Sequence, residues 1–158
     1  ASNRHSDSLL SNRNTHEEMP SFIARKIVKE MVRFNKDISK STLVIWGITL
    51  KENVADVRNS QAIDLYHELK EFGLKPIVYD PKVRREELLY EYGVTACTRE
   101  ELPKADTLVV AVAHDEFRQY RAEEVRGHMN GEKNLLIDIK HIFQQREMET
   151  LGVNYWSL

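Results

Sequence analysis

Three short polar stretches contain the side chains in this sequence that are best suited to bind a charged ligand. They are residues 51–58, 113–117 and 138–141. Their cations, imidazoles and carboxylates are Lys51, Arg58 and Lys140; His114 and His141; Glu52, Asp56, Asp115 and Asp138. Cations that converge beside fixed backbone amides suit an anion, and phosphate or pyrophosphate is the ligand that we expect. The alternative interpretation is that these charges are solvated loop residues without a ligand.

Other kinds of chemistry have weaker support in the sequence. His114 and His141 could form half of a metal site, but no third ligand lies at matched spacing, so no metal is expected. Cys97 has no base at fixed spacing and is expected to be a buried structural thiol. The first turn contains a single glycine, Gly47, rather than GxGxxG, and no P-loop motif occurs. We therefore expect no self-contained nicotinamide site.

The apolar pattern predicts strands that end at the three polar stretches. Predicted strands cover residues 43–46, 76–79, 94–97, 107–112, 134–139 and 153–156. Predicted helices between them cover residues 60–72, 83–92, 98–101, 122–128 and 142–151. Apolar strands that alternate with helices indicate an α/β fold, a Rossmann-like open parallel sheet of about five or six strands with helices on both faces. The loops at the carboxyl edge of such a sheet are where ligands bind.

The start of the chain lies outside this α/β pattern. Residues 1–19 are mostly polar and are expected to be a loosely ordered leader. A long helix is predicted next, within residues 20–36, with Pro20 in its first turn and Asn35 as its C-terminal cap. Its apolar stripe either packs on its own domain, residues 41–158, or contacts a second subunit or a missing domain. The abrupt polar start without an initiator Met suggests a piece cut from a longer protein.

Composition narrows the classes of partner. The 158 residues are 41% hydrophobic and 30% charged, as in a globular protein, and their formal net charge of −2 gives no bulk attraction for nucleic acid or an anionic membrane. No apolar run approaches the ~20 residues that span a bilayer. A single cysteine favours a reducing compartment, so we expect a cytoplasmic protein.

The loop after the first strand resembles the signature of a known enzyme family. Residues 47–60, GITLKENVADVRNS, are similar to G-(L/I)-(A/T)-F-K-x-(N/D)-x-x-D-(V/I/L)-R-(E/N)-S in the carboxyl-terminal, UDP-binding domain of nucleotide-sugar 6-dehydrogenases, the UDP-glucose/GDP-mannose dehydrogenase family. Three further motifs follow in order: VYDP at 78–81, AVAHDEF at 111–117 and DIK at 138–140. The last two look like the branch that acts on UDP-N-acetylhexosamines. Residues 5–20 resemble the segment after the family's catalytic cysteine loop, although Asn14 and His16 depart from it.

The resemblance implies a function and a set of roles. The chain would be the carboxyl-terminal part of an NAD-dependent UDP-N-acetylglucosamine or UDP-N-acetylgalactosamine 6-dehydrogenase, which makes a hexosaminuronic acid for surface polysaccharides. By family position, Lys51 and Lys140 bind the substrate, Leu50 replaces an aromatic residue beside it, and Arg58 contacts the cofactor. The NAD fingerprint and the catalytic cysteine belong to parts of the family absent here, so the fragment alone is expected to be inactive, with no catalytic residue.

The same resemblance implies partners: a UDP-sugar, the protein's own amino-terminal domain, and a second copy that forms a homodimer through helix 20–36.

The alternative function is a non-enzymatic Rossmann-like protein-interaction module, such as a receiver-like domain. A receiver needs acids at the end of the first strand and an aspartate ending the third. This sequence has Lys51 at the first position and no aspartate at residues 96–97, which disfavours that alternative.

Overall fold

The structure, a computed structural model, describes residues 8–158, with side chains described from Glu18 onward. Five parallel strands form one sheet in the order β2-β1-β3-β4-β5. They are β1 Leu43–Trp46, β2 Ile77–Tyr79, β3 Thr107–Val110, β4 Leu135–Asp138 and β5 Asn154–Ser157. Trp46 pairs with Val110, and Val110 with Asp138, so the last residues of β1, β3 and β4 lie side by side. This register places the three polar stretches at one edge, and the α/β prediction is confirmed.

Helices cover both faces of the sheet, as the continuous apolar strands predict. They are α1 Ser8–Arg33, α2 Gln61–Glu71, α3 Arg85–Tyr92, α4 Asp115–Arg118, α5 Ala122–Gly127 and α6 Gln145–Thr150. Alternate strand residues point to opposite faces. Leu43 and Ile45 join a core with α1, α2 and α3, whereas Val44 and Trp46 join a second core with α4, α5 and α6. Within the part of the chain described, no helix is both long enough and apolar enough to cross a membrane.

Helix α1 begins earlier than the sequence predicts. It runs from Ser8, so Pro20 lies inside the helix rather than in its first turn. The prediction that the leader is loosely ordered is therefore wrong for residues 8–19, which are helical. Residues 1–7 of the expected leader lie outside the described residues, and so do the side chains of Asn14 and His16. Pro20 is buried, and this packing offsets the backbone hydrogen bond that a proline lacks.

The end of α1 follows the prediction. Asn35 adopts a left-handed φ of 59°, and Lys36 N–H donates to the Met31 carbonyl at 2.8 Å, which is the hydrogen bond of a Schellman cap. Most of the apolar stripe, including Ile27 and Met31, is buried in the core shared with α2, whereas Phe22 and Val32 remain exposed. The interpretation that α1 packs on its own domain is therefore correct for the buried part of this stripe.

The strand predicted at residues 94–97 is reduced to a single bridge. Ala96 pairs with Val78 at the edge of the sheet, and Cys97 N–H donates to the Val78 carbonyl at 2.8 Å. The helical turn predicted at residues 98–101 is a short 3₁₀ turn, Arg99–Glu101, which begins with a capping box of Thr98 and Glu101 and ends the pairing. Cys97 is half-buried, and burial raises the pKa of its thiol.

Candidate functional site

The three polar stretches meet around a cleft of about 390 Å³ at the carboxyl edge of the sheet. Leu50, Lys51 and Lys140 all line it, so the residues predicted to bind substrate are brought together. Pro20 and Ile23 of α1 contribute to the opposite wall. The lysines of the first and third stretches therefore lie at one cleft rather than at separate places on the surface.

The cleft is locally positive in a chain whose net charge is −2. Among residues 18–158, its charged lining consists of Lys51, Arg118 and Lys140 and of one carboxylate, Glu52. The three cations come from the loop after β1, from α4 and from the loop after β4. Such an arrangement suits an anion with two or more charged groups.

Arg118 is the lining cation that sequence reasoning missed. Its Nε donates to the Ala113 carbonyl at 3.3 Å, and its guanidinium lies 3.5 Å from the Glu52 carboxylate, with both side chains about half exposed. The prediction treated residues 113–117 as a loop. In the structure α4 begins at Asp115, and Arg118 is its last residue. A helical turn that begins inside the AVAHDEF motif and includes Arg118 would have been the signal.

The loop that carries Lys51 leaves β1 through a sterically restricted turn. Gly47 has a φ of +97°, and a Cβ built there would lie 2.6 Å from Val112 Cβ and 2.8 Å from Val112 N. Both facts require glycine at this position. The glycine is explained by the close approach of residue 112, so it provides no open space for a dinucleotide pyrophosphate.

Asp80 is the buried anchor of the same loop. Its Oδ2 accepts backbone N–H groups from Ile48 at 2.7 Å and Thr49 at 3.1 Å. Its Oδ1 accepts N–H groups from Lys82 at 2.7 Å and Val83 at 3.0 Å. Burial alone would raise the pKa of this carboxyl, but hydrogen bonds from a neighbouring imidazole and from the amides lower it, so Asp80 is a carboxylate.

His114 connects the anchor to the loop. Its side chain is fully buried, and Nε2 lies 2.9 Å from Asp80 Oδ2 and 3.1 Å from Thr49 Oγ1. Its Nδ1 accepts the backbone N–H of Asn53 at 2.9 Å. The sequence predicted His114 as a polar residue of the site edge; the structure places it beneath the loop instead.

Ser60 closes the other end of the loop. Its hydroxyl donates to the Ile48 carbonyl at 2.8 Å and accepts the N–H groups of Ala62 and Ile63, which caps α2. Leu50 N–H also donates to the carbonyl of residue 56 at 2.7 Å. The loop is therefore held at both ends while Leu50 and Lys51 remain exposed to the cleft.

Arg58 is the predicted site residue that the structure does not bring to the cleft. It lines a separate surface cavity with Arg84 and Tyr92, and its side chain is 81% exposed. A bidentate pair with Asp56, with Arg58 Nη2 to Asp56 Oδ2 at 2.8 Å, holds its guanidinium. These hydrogen bonds lower the pKa of Asp56 to about 2.

Asp138, expected among the acids of the site, is a buried structural residue. It accepts the N–H groups of Ile142 and Phe143 and the Tyr155 hydroxyl at 2.7 Å, and so it fixes the loop that carries Lys140. Burial and this hydrogen bond to a carboxylate raise the pKa of Tyr155.

No trio of His, Cys, Asp and Glu side chains suited to a metal ion occurs in the described range. The two histidines considered for such a site have other partners. Both ring nitrogens of His114 are used inside the protein, and His141 Nδ1 lies 2.8 Å from Ser157 Oγ.

Two curated proteins are similar to this chain over most of its length. The UDP-N-acetyl-D-glucosamine 6-dehydrogenase of Salmonella typhi is 30% identical over 141 residues, which are 89% of this chain and 33% of that protein. Protein CapL of Staphylococcus aureus is 27% identical over 154 residues, 98% of this chain and 36% of CapL. The chain thus spans about a third of the length of these curated relatives.

Solved structures show the same fold. The crystal structure of an NDP-N-acetyl-D-galactosaminuronic acid dehydrogenase from Methanosarcina mazei Go1 superposes with a TM-score of 0.83 at 21% identity, over 96% of this chain and 31% of that one.

Residues 44–145 match the family described as the UDP-glucose/GDP-mannose dehydrogenase family, UDP binding domain. The resemblance predicted from four motifs is confirmed. The chain belongs to the UDP-glucose/GDP-mannose dehydrogenase family, as its UDP-binding domain.

Proposed function

We propose that this chain is the nucleotide-sugar-binding part of an NAD-dependent UDP-N-acetylhexosamine 6-dehydrogenase, which oxidises the C6 alcohol of the sugar to a carboxylate. The observation that carries the proposal is the convergence of Lys51, Arg118 and Lys140, from three separate elements, on one cleft. The names of the curated relatives support the N-acetylhexosamine class of substrate.

The lining of the cleft supports a division of roles. The cations Lys51, Lys140 and Arg118 bind the diphosphate, the last with a planar fork and the two lysines as point charges. Leu50, 41% exposed at the mouth of the cleft, contacts the nucleotide sugar through an apolar surface. Ile23 and its neighbours on α1 and α2 give the cleft an apolar wall against the uncharged part of the ligand.

NAD does not fit as a ligand held by this chain alone. The glycine turn that would approach its pyrophosphate is closed by Val112. The exposed guanidinium of Arg58 instead faces outward from a different cavity. This geometry supports a contact from Arg58 to a cofactor that the amino-terminal domain of the whole protein binds. The residues of this chain therefore bind and orient the substrate, and the fragment by itself is inactive.

The proposed assembly is a cytoplasmic homodimer that uses the outer face of α1. Met19, Phe22 and Val32 of α1 are 37%, 40% and 58% exposed, so α1 keeps apolar side chains that its own domain does not bury. In the whole protein the amino-terminal domain would close over the cleft that α1 borders.

Isothermal titration calorimetry of the 158-residue chain with UDP tests the binding step. We expect weak binding in the millimolar range or tighter, and no comparable heat with uridine, because the cations recognise the diphosphate. The variant Lys51→Glu should reduce UDP affinity by at least about tenfold, since it reverses one of three charges at the anion. Lys75→Glu is the matched control, because Lys75 is exposed at the amino-terminal edge of the sheet, just before β2.

Two results would count against the proposal. A folded chain that gives no heat with millimolar UDP does not carry the site. Equal losses in Lys51→Glu and Lys75→Glu would show that UDP responds to net charge rather than to the cleft.

A further inference from the structure

We propose that His114 is a positioning residue, which holds the loop of residues 49–53 so that Leu50 and Lys51 face the cleft. The part of this inference that concerns the ligand rests on the proposed UDP site. The part that concerns the loop rests on hydrogen bonds alone.

The protonation state of the ring follows from its partners. A backbone N–H can only donate, so the bond of 2.9 Å from Asn53 requires His114 Nδ1 to carry no proton. The ring proton is then on Nε2, where it donates to Asp80 Oδ2 at 2.9 Å. Asp80 thereby selects the one neutral tautomer that leaves Nδ1 free to accept from the loop.

The two nitrogens contact the loop on either side of Lys51. Nε2 lies 3.1 Å from the hydroxyl of Thr49, which itself donates to the Lys51 carbonyl at 3.2 Å. Nδ1 binds Asn53, a non-glycine residue with a left-handed φ of 63°. Asparagine adopts this left-handed conformation more readily than most other non-glycine residues, so the turn at this position needs no glycine.

Asn53 also fastens the loop to the next element. Its side-chain Oδ1 accepts the backbone N–H of Asp115 at 3.0 Å, one residue after His114. The backbone on both sides of Lys51 is thus joined to the segment that begins α4, the helix that carries Arg118. A change at His114 should therefore move Lys51 relative to Arg118, and so alter the spacing of the cations in the cleft.

Filling a core with a ring is not enough to explain His114. A phenylalanine would fill the same volume but would leave the part-buried Asn53 N–H without its acceptor and the fully buried Asp80 side chain without one donor. Two amide substitutions separate the two functions of the ring. In His114→Asn, Oδ1 can occupy the place of Nδ1 and accept from Asn53. In His114→Gln, Nε2 can occupy the place of the ring Nε2 and donate to Asp80.

The experiment compares these two variants on the 158-residue chain. Amide hydrogen exchange followed by NMR reports the Asn53 N–H, and calorimetry reports UDP affinity. We expect Asn53 exchange to be about tenfold faster in His114→Gln, with UDP affinity lower by about five- to tenfold, because one hydrogen bond of the loop is gone. His114→Asn should keep Asn53 protection and UDP affinity within about threefold of the wild type. His128→Asn is the control for a histidine substitution, because the His128 ring packs on Trp46 rather than on the loop of residues 49–53.

Each result decides the proposal. It is overturned if both His114 variants lose UDP affinity equally while the Asn53 amide stays protected, because that outcome describes a structural residue only. It is also overturned if Asn53 loses protection in His114→Gln without any change in UDP affinity. A wild-type chain that binds no UDP removes the proposed function, and the Asn53 amide alone then decides whether His114 positions the loop.

Discussion

Replacing Asp80 with asparagine removes a buried charge while it keeps the size of the side chain. In the wild type, one carboxylate accepts four backbone N–H groups and the Nε2 proton of His114. Asparagine offers a single oxygen, and its NH₂ group is a donor. Whichever way the amide turns, its NH₂ faces either the amides of Lys82 and Val83 or those of Ile48 and Thr49.

The size of the effect follows from this count of bonds. At least two hydrogen bonds to a charged acceptor are lost, each with a net contribution of about 1.5–3 kcal/mol. The amides of Lys82 and Val83 are only partly buried, so water can replace part of what they lose. We therefore expect Asp80→Asn to lower the free energy of unfolding by about 3 kcal/mol, a large fraction of the roughly 5–15 kcal/mol of a typical domain.

Urea denaturation at neutral pH measures this difference. Asp115→Asn is the matched control, because it makes the same chemical change at an exposed carboxylate next to His114, and it should stay within about 0.5 kcal/mol of the wild type. A loss below about 1 kcal/mol in Asp80→Asn would refute the reasoning, since it would mean that the amides do not depend on the charge.

The pH dependence provides a second test of the same bonds. The pKa of Asp80 is lowered in the folded chain, so the folded state binds its proton less tightly than the unfolded state does. The stability contributed by this carboxylate is therefore fully present above the ordinary Asp pKa of about 3.9, and it is lost as the pH falls toward the depressed folded pKa. The difference between the wild type and Asp80→Asn should shrink as the pH falls below about 4. A difference that stays constant at acid pH would contradict the assignment.

Three further predictions test other parts of the chain, the first with a matched control substitution. Gly47→Ala should destabilise the chain by about 2–4 kcal/mol in urea denaturation, because its Cβ meets Val112 at a φ of +97°. Gly152→Ala, where a Cβ has open space at a φ of +81°, should cost only about 1–2 kcal/mol, and equal losses would contradict the steric argument. Arg118→Glu should weaken UDP binding by about tenfold in calorimetry, and an unchanged affinity would place Arg118 outside the ligand site. Arg58→Ala should keep UDP affinity within about twofold, because Arg58 opens onto another cavity; a larger loss would extend the substrate site to that cavity.

The sequence predicts the elements of the sheet well because their apolar runs have a simple cause. Strands buried on both faces need apolar residues at every position, and β1, β3 and β4 are fully buried. Parallel strands also put the loops that follow them at one edge, which is why the sequence groups Lys51 and Lys140, whereas Leu50 is predicted from the family resemblance alone. Their binding roles stay predictions.

The errors arise where tertiary packing decides the outcome. Pro20 predicts a helix start by its own chemistry, yet burial of α1 carries the helix through it. The β-branched residues near Val94 predict a strand. The neighbouring strand β2 is only three residues long, and within residues 94–97 only Ala96 pairs with it. Asp138 is a carboxylate at the end of a strand, as a site acid would be. Only the hydrogen bonds from its three donors reveal a structural role.

The same distinction applies to the two carboxylates of the motifs shared with the family. Asp56 and Asp80 are both ionised, but Asp56 lies in the exposed loop and holds the guanidinium of Arg58, whereas Asp80 holds the backbone of the loop from below. One therefore acts on a side chain that faces outward, and the other acts on the position of Lys51 through the amides of Ile48 and Thr49. Loss of Asp56 should change the position of the Arg58 guanidinium on the outer surface of the loop. Loss of the second should change where the whole loop lies, which is why stability and UDP affinity are expected to fall together only for Asp80.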